Sequence, residues 1–178
     1  MYLLMGLAGS GKGTQGELLA EKIGYKYLST GEYLRSYVTA QRKQEMLAGK
    51  LISDQEMIDI ITSFLESLAS KNNCILDGFP RTLEQAKWLL EKSHSQGFDI
   101  EGLIYLEVTE AELIDRLLKR GRADDTKSAI KRRFELYRQS TEPVIDYYRS
   151  QSVPVFEIPG NNGVEEVQKS IQKQIKWA

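Results

Sequence analysis

The sequence predicts an α/β protein, a five-stranded parallel sheet covered by helices on both faces. Two observations predict this class. Five short apolar runs alternate along the chain with longer segments of helical periodicity. Strands that are separated by helices pair in parallel, and the helices then cover both faces of the sheet. Because 178 residues suit one core and no repeat or linker divides them, we predict a single domain over 1–178.

Each predicted strand is a short apolar run with polar or turn-forming neighbours. "YLLM" precedes a glycine loop, "CILD" stands between polar residues and "GFP", and "LIYLEV" is the clearest run. The predicted strands are Tyr2–Met5, Tyr25–Ser29, Cys74–Asp77, Leu103–Val108 and Val153–Ile158.

The helices are predicted from apolar residues that recur at helical spacing, as Ile58, Ile61, Leu65 and Leu68 do. The turn "PGNNG" precedes the last of them. The predicted helices are Gly13–Ile23, Glu32–Ala40, Arg42–Ala48, Asp54–Ala69, Leu83–Ser95, Ala111–Lys119, Ser128 to about Ser150, and one that begins at Val164.

Composition excludes several classes of function. A net charge of −1 argues against a nucleic-acid coat or a polybasic membrane patch. One cysteine cannot form an internal disulfide, and one histidine with one cysteine cannot build a structural zinc site. No apolar run approaches membrane-spanning length, and the start "MYLLMG" does not resemble a signal peptide. We therefore expect a cytoplasmic monomer that binds neither nucleic acid nor membranes.

The segment "GLAGSGKGTQ" has the spacing of a phosphate-binding loop. Gly6 and Gly11–Lys12 fit the pattern G-x-x-x-x-G-K between a predicted strand and a predicted helix. In such a loop backbone N–H groups and a helix N-terminus surround an anion, and the lysine adds a mobile cation. Gly13 follows the lysine where Ser or Thr is usual, and the hydroxyl comes one residue later, on Thr14. The pattern indicates a nucleoside triphosphate but no particular reaction.

Four segments together resemble the adenylate kinase family. They are "GLAGSGKGTQ", "LSTGEYLR", "GKLI" and "LDGFPRTLEQA", and the resemblance extends from Tyr2 to the last helix. Ala8 departs from the family, which usually has proline there. The resemblance implies a P-loop fold whose core is 1–29, 53–119 and 134–178. A small helical insert at about 30–52 would bind the nucleoside monophosphate, and a short lid would span about 120–133.

The resemblance implies reversible transfer of a phosphoryl group from ATP to AMP, with Mg²⁺ bound to ATP. On the AMP side, arginine can bind phosphate oxygens in pairs, and the amide of Gln85 can pair with adenine. Asp77 would hold Mg²⁺ through water. The implied AMP-binding residues are Thr30, Arg35, Lys50, Leu51, Ile52, Gly78, Phe79, Pro80, Arg81, Gln85, Arg122 and Arg133. The implied ATP-binding residues are Gly9, Ser10, Gly11, Lys12, Gly13, Thr14, Arg116, Arg120, Gly160 and Asn162.

The second half of the chain supplies most of the arginines that such a reaction needs. "LLKRG", "RADD" and "KRRFELY" resemble the family's lid region, where Asp124 and Asp125 would orient the arginines. The charge of two nucleotides must be neutralised while donor and acceptor are held in line. The residues with implied catalytic roles are Lys12, Arg81, Arg120, Arg122 and Arg133.

Several alternatives stay open. Ser29 or Thr30, followed by Glu32, can be read as only a helix cap. Arg35 can be read as a solvated residue, Asp125 as the N-cap of a basic helix, and the loop with Gly160 and Asn162 as a plain turn. Both the insert and the lid are shorter than usual in the family, which favours lower activity or relaxed base choice. A kinase for UMP, CMP or a deoxynucleotide, and a nucleotide-binding protein with weak or no activity, therefore remain candidates. A GTPase is disfavoured because the sequence has no Asn-Lys-x-Asp motif.

Overall fold

The computed structural model describes residues 1–37, 52–122 and 125–175, without the side chains of 35–37. Five strands form one sheet in the order β2-β3-β1-β4-β5, and every neighbouring pair is parallel. The predicted fold class is therefore confirmed. The strands are β1 (Tyr2–Met5), β2 (Lys26–Ser29), β3 (Cys74–Asp77), β4 (Gly102–Glu107) and β5 (Val155–Pro159).

The helices lie close to their predicted positions, with shifts of one or two residues at most ends. The helix predicted at Glu32–Ala40 begins earlier, at Thr30, and the described part ends at Tyr37. The helix predicted at Arg42–Ala48 lies outside the described residues. The described helices are α1 (Lys12–Ile23), α2 (Thr30–Tyr37), α3 (Asp54–Ser67), α4 (Leu83–Gln96), α5 (Glu110–Arg120), α6 (Lys127–Leu136), α7 (Glu142–Ser150) and α8 (Val164–Gln174).

Alternate residues of the strands contribute to two separate hydrophobic cores. On one face Leu3 and Leu76 pack with α3, α4 and α7, and on the other Leu4 and Ile75 pack with α1 and α8. All four of these side chains are almost fully buried. Strands buried on both faces explain why these runs read as continuously apolar. No described helix has the length and apolarity that a membrane crossing requires.

The structure divides the helix predicted from Ser128 to about Ser150. A π-helical turn, Tyr137–Thr141, separates α6 from α7. Pro143 lies at the start of α7. Proline has no backbone N–H, and its ring clashes with the carbonyl four residues earlier, so regular α-helical bonding cannot continue through this point. Thr141, the last residue of the turn, is buried, and its hydroxyl donates to the Arg81 carbonyl at 3.0 Å.

The carboxyl ends of β1 and β3 place two loops side by side. β1 leads into the glycine loop, and its neighbour β3 ends at Asp77 before Gly78. Ligands of open parallel sheets bind at this edge. A third core, made by Leu113 and Leu117 of α5 with two residues of α6, packs against Leu7 of the glycine loop. The fold thus holds α5, α6 and the loop against one another.

Candidate active site

The glycine loop adopts the backbone that its sequence predicts. Gly6, Gly9 and Gly11 have positive φ angles of 147°, 88° and 95°. A Cβ at Gly9 would lie 2.9 Å from Cγ of Leu117, so a larger residue would collide with α5 as well as strain the backbone. Gly11 is the N-cap of α1 and provides no side-chain cap. The first N–H groups of α1 are therefore available to an anion. Ser10 lies in the loop, Gly13 is the second residue of α1, and Thr14 is exposed.

Lys12 folds back over the loop. Its Nζ donates to the carbonyls of Gly6 at 2.7 Å and Leu7 at 2.9 Å. Burial lowers the pKa of this ammonium, the charge of Asp77 opposes that shift, and the charges of Arg81 and Arg120 add to it. One cation thus lies within electrostatic range of all three of these predicted site residues. The same ammonium is the group that can turn toward a phosphate bound in the loop.

Asp77 ends β3 and is 6% exposed. The Tyr27 hydroxyl, on the neighbouring strand β2, donates to Oδ2 of Asp77 at 2.8 Å. Burial, and then the Asp77 charge, raise the pKa of Tyr27, so the phenol keeps its proton and remains a donor. The Tyr27 ring packs against α1, where a Cβ at Gly16 would lie 2.4 Å from Cε2 of the ring. Sequence analysis did not single out Tyr27, because its partner is 50 residues away along the chain.

Thr30, Gly78 and Arg81 form one hydrogen-bonded group. The Thr30 hydroxyl lies 2.9 Å from the carbonyl oxygen of Gly78 and 3.1 Å from that of Asp77. Arg81 donates from Nε to the Gly78 carbonyl at 2.7 Å, and its Nη2 lies 3.4 Å from the Thr30 hydroxyl. Ser29, and not Thr30, accepts the N–H of Glu32, at 3.4 Å. The helix-cap reading is therefore right for Ser29 and wrong for Thr30, whose hydroxyl faces this group.

The segment before Arg81 contributes through its backbone. The side chains of Phe79 and Pro80 are buried, and the Phe79 ring packs edge-on against Trp88. Gly78 has a positive φ of 78°, and a Cβ there would lie 2.8 Å from the Thr30 hydroxyl. This close approach requires glycine at position 78.

Gln85 is 4% exposed and both ends of its amide are bonded. Its Oε1 accepts the backbone N–H of Arg81 at 2.7 Å, and its Nε2 donates to Oδ1 of Asp54 at 2.7 Å. The predicted base reader therefore lies beside Arg81. Asp54 was missed, although its place directly after the predicted insert was a signal that it borders the site.

Asp125 accepts hydrogen bonds from arginines of α5 and α6. Arg120 donates to both of its oxygens, from Nε at 2.9 Å and from Nη2 at 2.8 Å. Arg133 Nη2 donates at 2.8 Å, and the backbone N–H of Arg122 donates at 3.2 Å. The Asp125 side chain is fully buried, and these hydrogen bonds, with that of Arg120 the strongest influence, lower its carboxyl pKa. The alternative of Asp125 as an N-cap is wrong, because Thr126 caps α6.

Arg116 bridges α5 and the loop after β5. Its Nη2 donates to the Gly160 carbonyl at 3.0 Å, and the same side chain pairs with Glu112 one turn away. A Cβ at Gly160 would lie 2.6 Å from Val108 and 3.5 Å from the Ser10 carbonyl. Arg116, Gly160 and the glycine loop therefore adjoin, while their binding of ATP stays a prediction. Asn162 is exposed, and the side chain of Arg122 is exposed beside Asp125.

The remaining predicted site residues lie at or beyond the edges of the described segments. Ile52 is half-buried ahead of α3. Lys50, Leu51, Asp124 and the side chain of Arg35 lie outside the described part of the chain.

A parallel sheet with a phosphate loop at its carboxyl edge, and with arginines collected beside that loop, defines the chain as a P-loop phosphotransferase. The family model described as adenylate kinase matches residues 4–153. The chain belongs to the adenylate kinase family.

Curated relatives are similar to this chain over most of its length. An adenylate kinase of Synechococcus sp. (strain CC9902) is 39% identical over an alignment of 177 positions that covers 96% of each chain. One from Prochlorococcus marinus (strain MIT 9211) is 39% identical over 97% of this chain and 95% of its own. One from Bacteroides thetaiotaomicron is 40% identical over 84% of each chain.

Proposed function

We propose that this protein catalyses the reversible transfer of the γ-phosphoryl group of ATP to AMP, giving two ADP. The observation that carries the proposal is the position of Lys12. It lies in the phosphate loop, and its ammonium is within electrostatic range of Arg81 from the β3–α4 loop and Arg120 from α5. Cations from three separate elements thus act on one another, which supports a role in neutralising two bound nucleotides.

ATP would bind along the glycine loop, α5 and the turn after β5. The N–H groups of the loop and the start of α1 would surround its phosphates, and Lys12 would bond the outer ones. Arg116 would stack on the adenine, next to the backbone around Gly160 and Asn162. The proposed ATP-binding set is Gly9, Ser10, Gly11, Lys12, Gly13, Thr14, Arg116, Arg120, Gly160 and Asn162.

AMP would bind on the other side, between the insert and α4. Arg81 would bond its phosphate and Gln85 would pair with its base. Arg122 and Arg133 would complete the clamp, with Asp125 and Asp124 orienting it. The remaining members of the proposed set are Thr30, Arg35, Lys50, Leu51, Ile52, Gly78, Phe79 and Pro80.

The mechanism needs no general base. The phosphate of AMP already carries anionic oxygens at neutral pH, so catalysis consists of alignment and charge neutralisation. His94, the single histidine, is exposed on α4 and takes no part in the proposal.

Mg²⁺ would arrive with ATP. No cluster of three or more His, Cys, Asp or Glu among the described residues could hold a metal alone. A single buried carboxylate suits a cation that keeps several of its waters and binds mainly to phosphate. Asp77 fits that role, with its orientation fixed by Tyr27. The ion would neutralise phosphate charge, while Asp77 would hold its water.

The boundaries of the parts follow from these roles. We place the nucleoside-monophosphate insert at about 30–52, the lid at about 120–133, and the core at 1–29, 53–119 and 134–178. We also propose a monomer that works in the cytoplasm. A kinase for UMP, CMP or a deoxynucleotide is the second candidate, since the short insert and lid are compatible with relaxed base choice. A nucleotide-binding protein without activity is the third.

The test is to mix the purified protein with MgATP and with AMP, UMP, CMP or GMP separately, and to measure nucleoside diphosphate. ADP formation with AMP alone supports the proposal. Turnover with UMP or CMP would mean that the acceptor is a pyrimidine nucleotide and not AMP. ATP binding without transfer to any acceptor would contradict an active kinase.

A further inference from the structure

The amide of Gln85 is fixed in one orientation by two partners of opposite kind. The backbone N–H of Arg81 can only donate, so the group 2.7 Å away must be the amide oxygen. The Asp54 carboxylate, when ionised, can only accept, so the group 2.7 Å from Oδ1 must be the amide nitrogen. A flipped amide would place donor against donor and acceptor against acceptor. At 4% exposure, water cannot compensate readily for those losses.

The fixed amide keeps one hydrogen-bonding position at each end. Its nitrogen has two hydrogens, and Asp54 takes one. Its oxygen has two lone pairs, and Arg81 takes one. The two ends of the amide thus keep one donor and one acceptor between them. Adenine presents the matching pair, an acceptor at N1 and a donor at its 6-amino group. A 6-oxopurine presents the reverse, a donor at N1 and an acceptor at O6.

We propose that Asp54 is a positioning residue that sets the preference of this site for 6-aminopurine over 6-oxopurine monophosphates. It acts through Gln85, whose amide it prevents from turning over. The inference rests on the proposed function, because it takes Gln85 as the residue that pairs with the base. Without the carboxylate, the Arg81 N–H alone opposes the flip.

The position of Asp54 does not depend on its own carboxylate. It is the first residue of α3, and the helix start is held by a capping box on either side of it. The Ser53 hydroxyl accepts the N–H of Glu56 at 3.2 Å, and the Glu56 carboxylate accepts the N–H of Ser53 at 2.9 Å. Replacing the carboxylate at position 54 therefore leaves these cap bonds in place.

The test is Asp54→Asn, with kcat/KM measured for AMP and for inosine monophosphate. Asparagine has the same shape but can accept or donate, so it tolerates both amide orientations. We expect the AMP-to-IMP ratio of kcat/KM to fall by about tenfold, the effect of one charge-assisted hydrogen bond. The change should appear mainly in KM. Asp59→Asn is the matched control, because Asp59 is exposed on the same helix and pairs only locally, with Gln55.

An unchanged ratio in Asp54→Asn, or an equal loss with both nucleotides, overturns the proposal. If that variant does not fold, as judged by thermal unfolding, Asp54→Ala is measured against the same two criteria. Calorimetric titration with AMP and IMP gives the same ratio without catalysis. It therefore still tests Asp54 if the wild-type protein transfers no phosphoryl group, an outcome that would count against the proposed function alone.

Discussion

The Tyr27 hydroxyl donates a 2.8 Å hydrogen bond to Oδ2 of Asp77. The two residues lie on neighbouring parallel strands, with Ser29 paired to Asp77 and Tyr27 two residues earlier. This bond fixes one carboxylate oxygen and thereby restricts the orientation of the carboxylate. Groups that orient a metal-binding carboxylate usually tune metal affinity strongly.

Removing that hydroxyl should weaken the response to Mg²⁺. In Tyr27→Phe we expect the Mg²⁺ concentration for half-maximal activity to rise by about tenfold, with KM for AMP unchanged. Tyr25→Phe is the control, because the Tyr25 hydroxyl bonds Glu101 instead. A Mg²⁺ titration of both variants, with Mn²⁺ binding followed by spin resonance, makes the comparison. Identical titration curves for the two variants would show that the Tyr27 hydroxyl does not affect Mg²⁺ binding.

Lys12 should be required for chemistry more than for folding. Lys12→Ala removes the cation that would bond the transferring phosphate, and we expect kcat to fall by about a thousandfold. Lys22→Ala, on the exposed side of the same helix, should retain normal turnover. Steady-state rates with saturating MgATP and AMP measure both. Near-normal turnover in Lys12→Ala would refute the assignment of the phosphate loop.

Arg81 should matter chiefly for the monophosphate. In Arg81→Ala we expect kcat/KM for AMP to fall by about a hundredfold, because a bidentate charged contact to phosphate is lost. Binding of ATP to the free enzyme should change little. Arg149→Ala provides the control, since Arg149 pairs with exposed carboxylates on α7 and β5. Titration with each nucleotide separates the two sites, and equal losses for AMP and ATP would contradict this role.

Asp125 should stabilise the protein more at neutral pH than in acid. Its pKa is lowered in the folded state, so its contribution is fully present above the unfolded carboxyl pKa of about 3.9, decreases below that value, and is lost as the pH falls through the lower folded-state pKa. In Asp125→Asn we expect about 2 kcal/mol less stability at pH 7. We expect this difference to be smaller at pH 3 than at pH 7, because the unfolded carboxyl is then protonated while the folded one still resists protonation.

Urea unfolding of the wild-type protein and Asp125→Asn, at pH 7 and at pH 3, measures that difference. The exposed Asp115→Asn serves as the reference for loss of a surface carboxylate. A gap that stays constant across this range would mean that ionised Asp125 contributes nothing through its arginines.

Sequence reasoning succeeded where the signal is local. Strands β1 and β3 have the predicted bounds, because apolar runs before glycines are specified by neighbouring residues. The positive φ angles of Gly9 and Gly11 likewise follow from the loop pattern. The break before α7 was missed although Pro143 was visible, since its effect was not weighed against the helical periodicity around it.

Contacts between distant segments could not be predicted from the sequence. The bond from Tyr27 to Asp77 spans 50 residues, and that from Gln85 to Asp54 spans 31. Each contact depends on strand register or helix packing. A single sequence, read without an alignment, does not indicate which distant residues form such pairs. The arginines that Asp125 holds were predicted, because the family resemblance supplied what spacing alone did not. The roles of all these residues in catalysis stay predictions.

Because Gly16 packs against the Tyr27 ring, the residue at one of these positions limits which residues fit at the other. Glycine inside α1 makes the helix less stable than alanine would by about 1 kcal/mol. An alanine there would meet the Tyr27 ring at 2.4 Å. An alanine there would also lie 2.9 Å from Cδ2 of Leu4, so both neighbours would have to give way. A smaller residue at position 27 would make part of that room, but it would remove the hydroxyl that orients Asp77. With Asp77 in its proposed role beside Mg²⁺, selection for thermal stability at position 16 and selection for metal response at position 27 would therefore oppose each other.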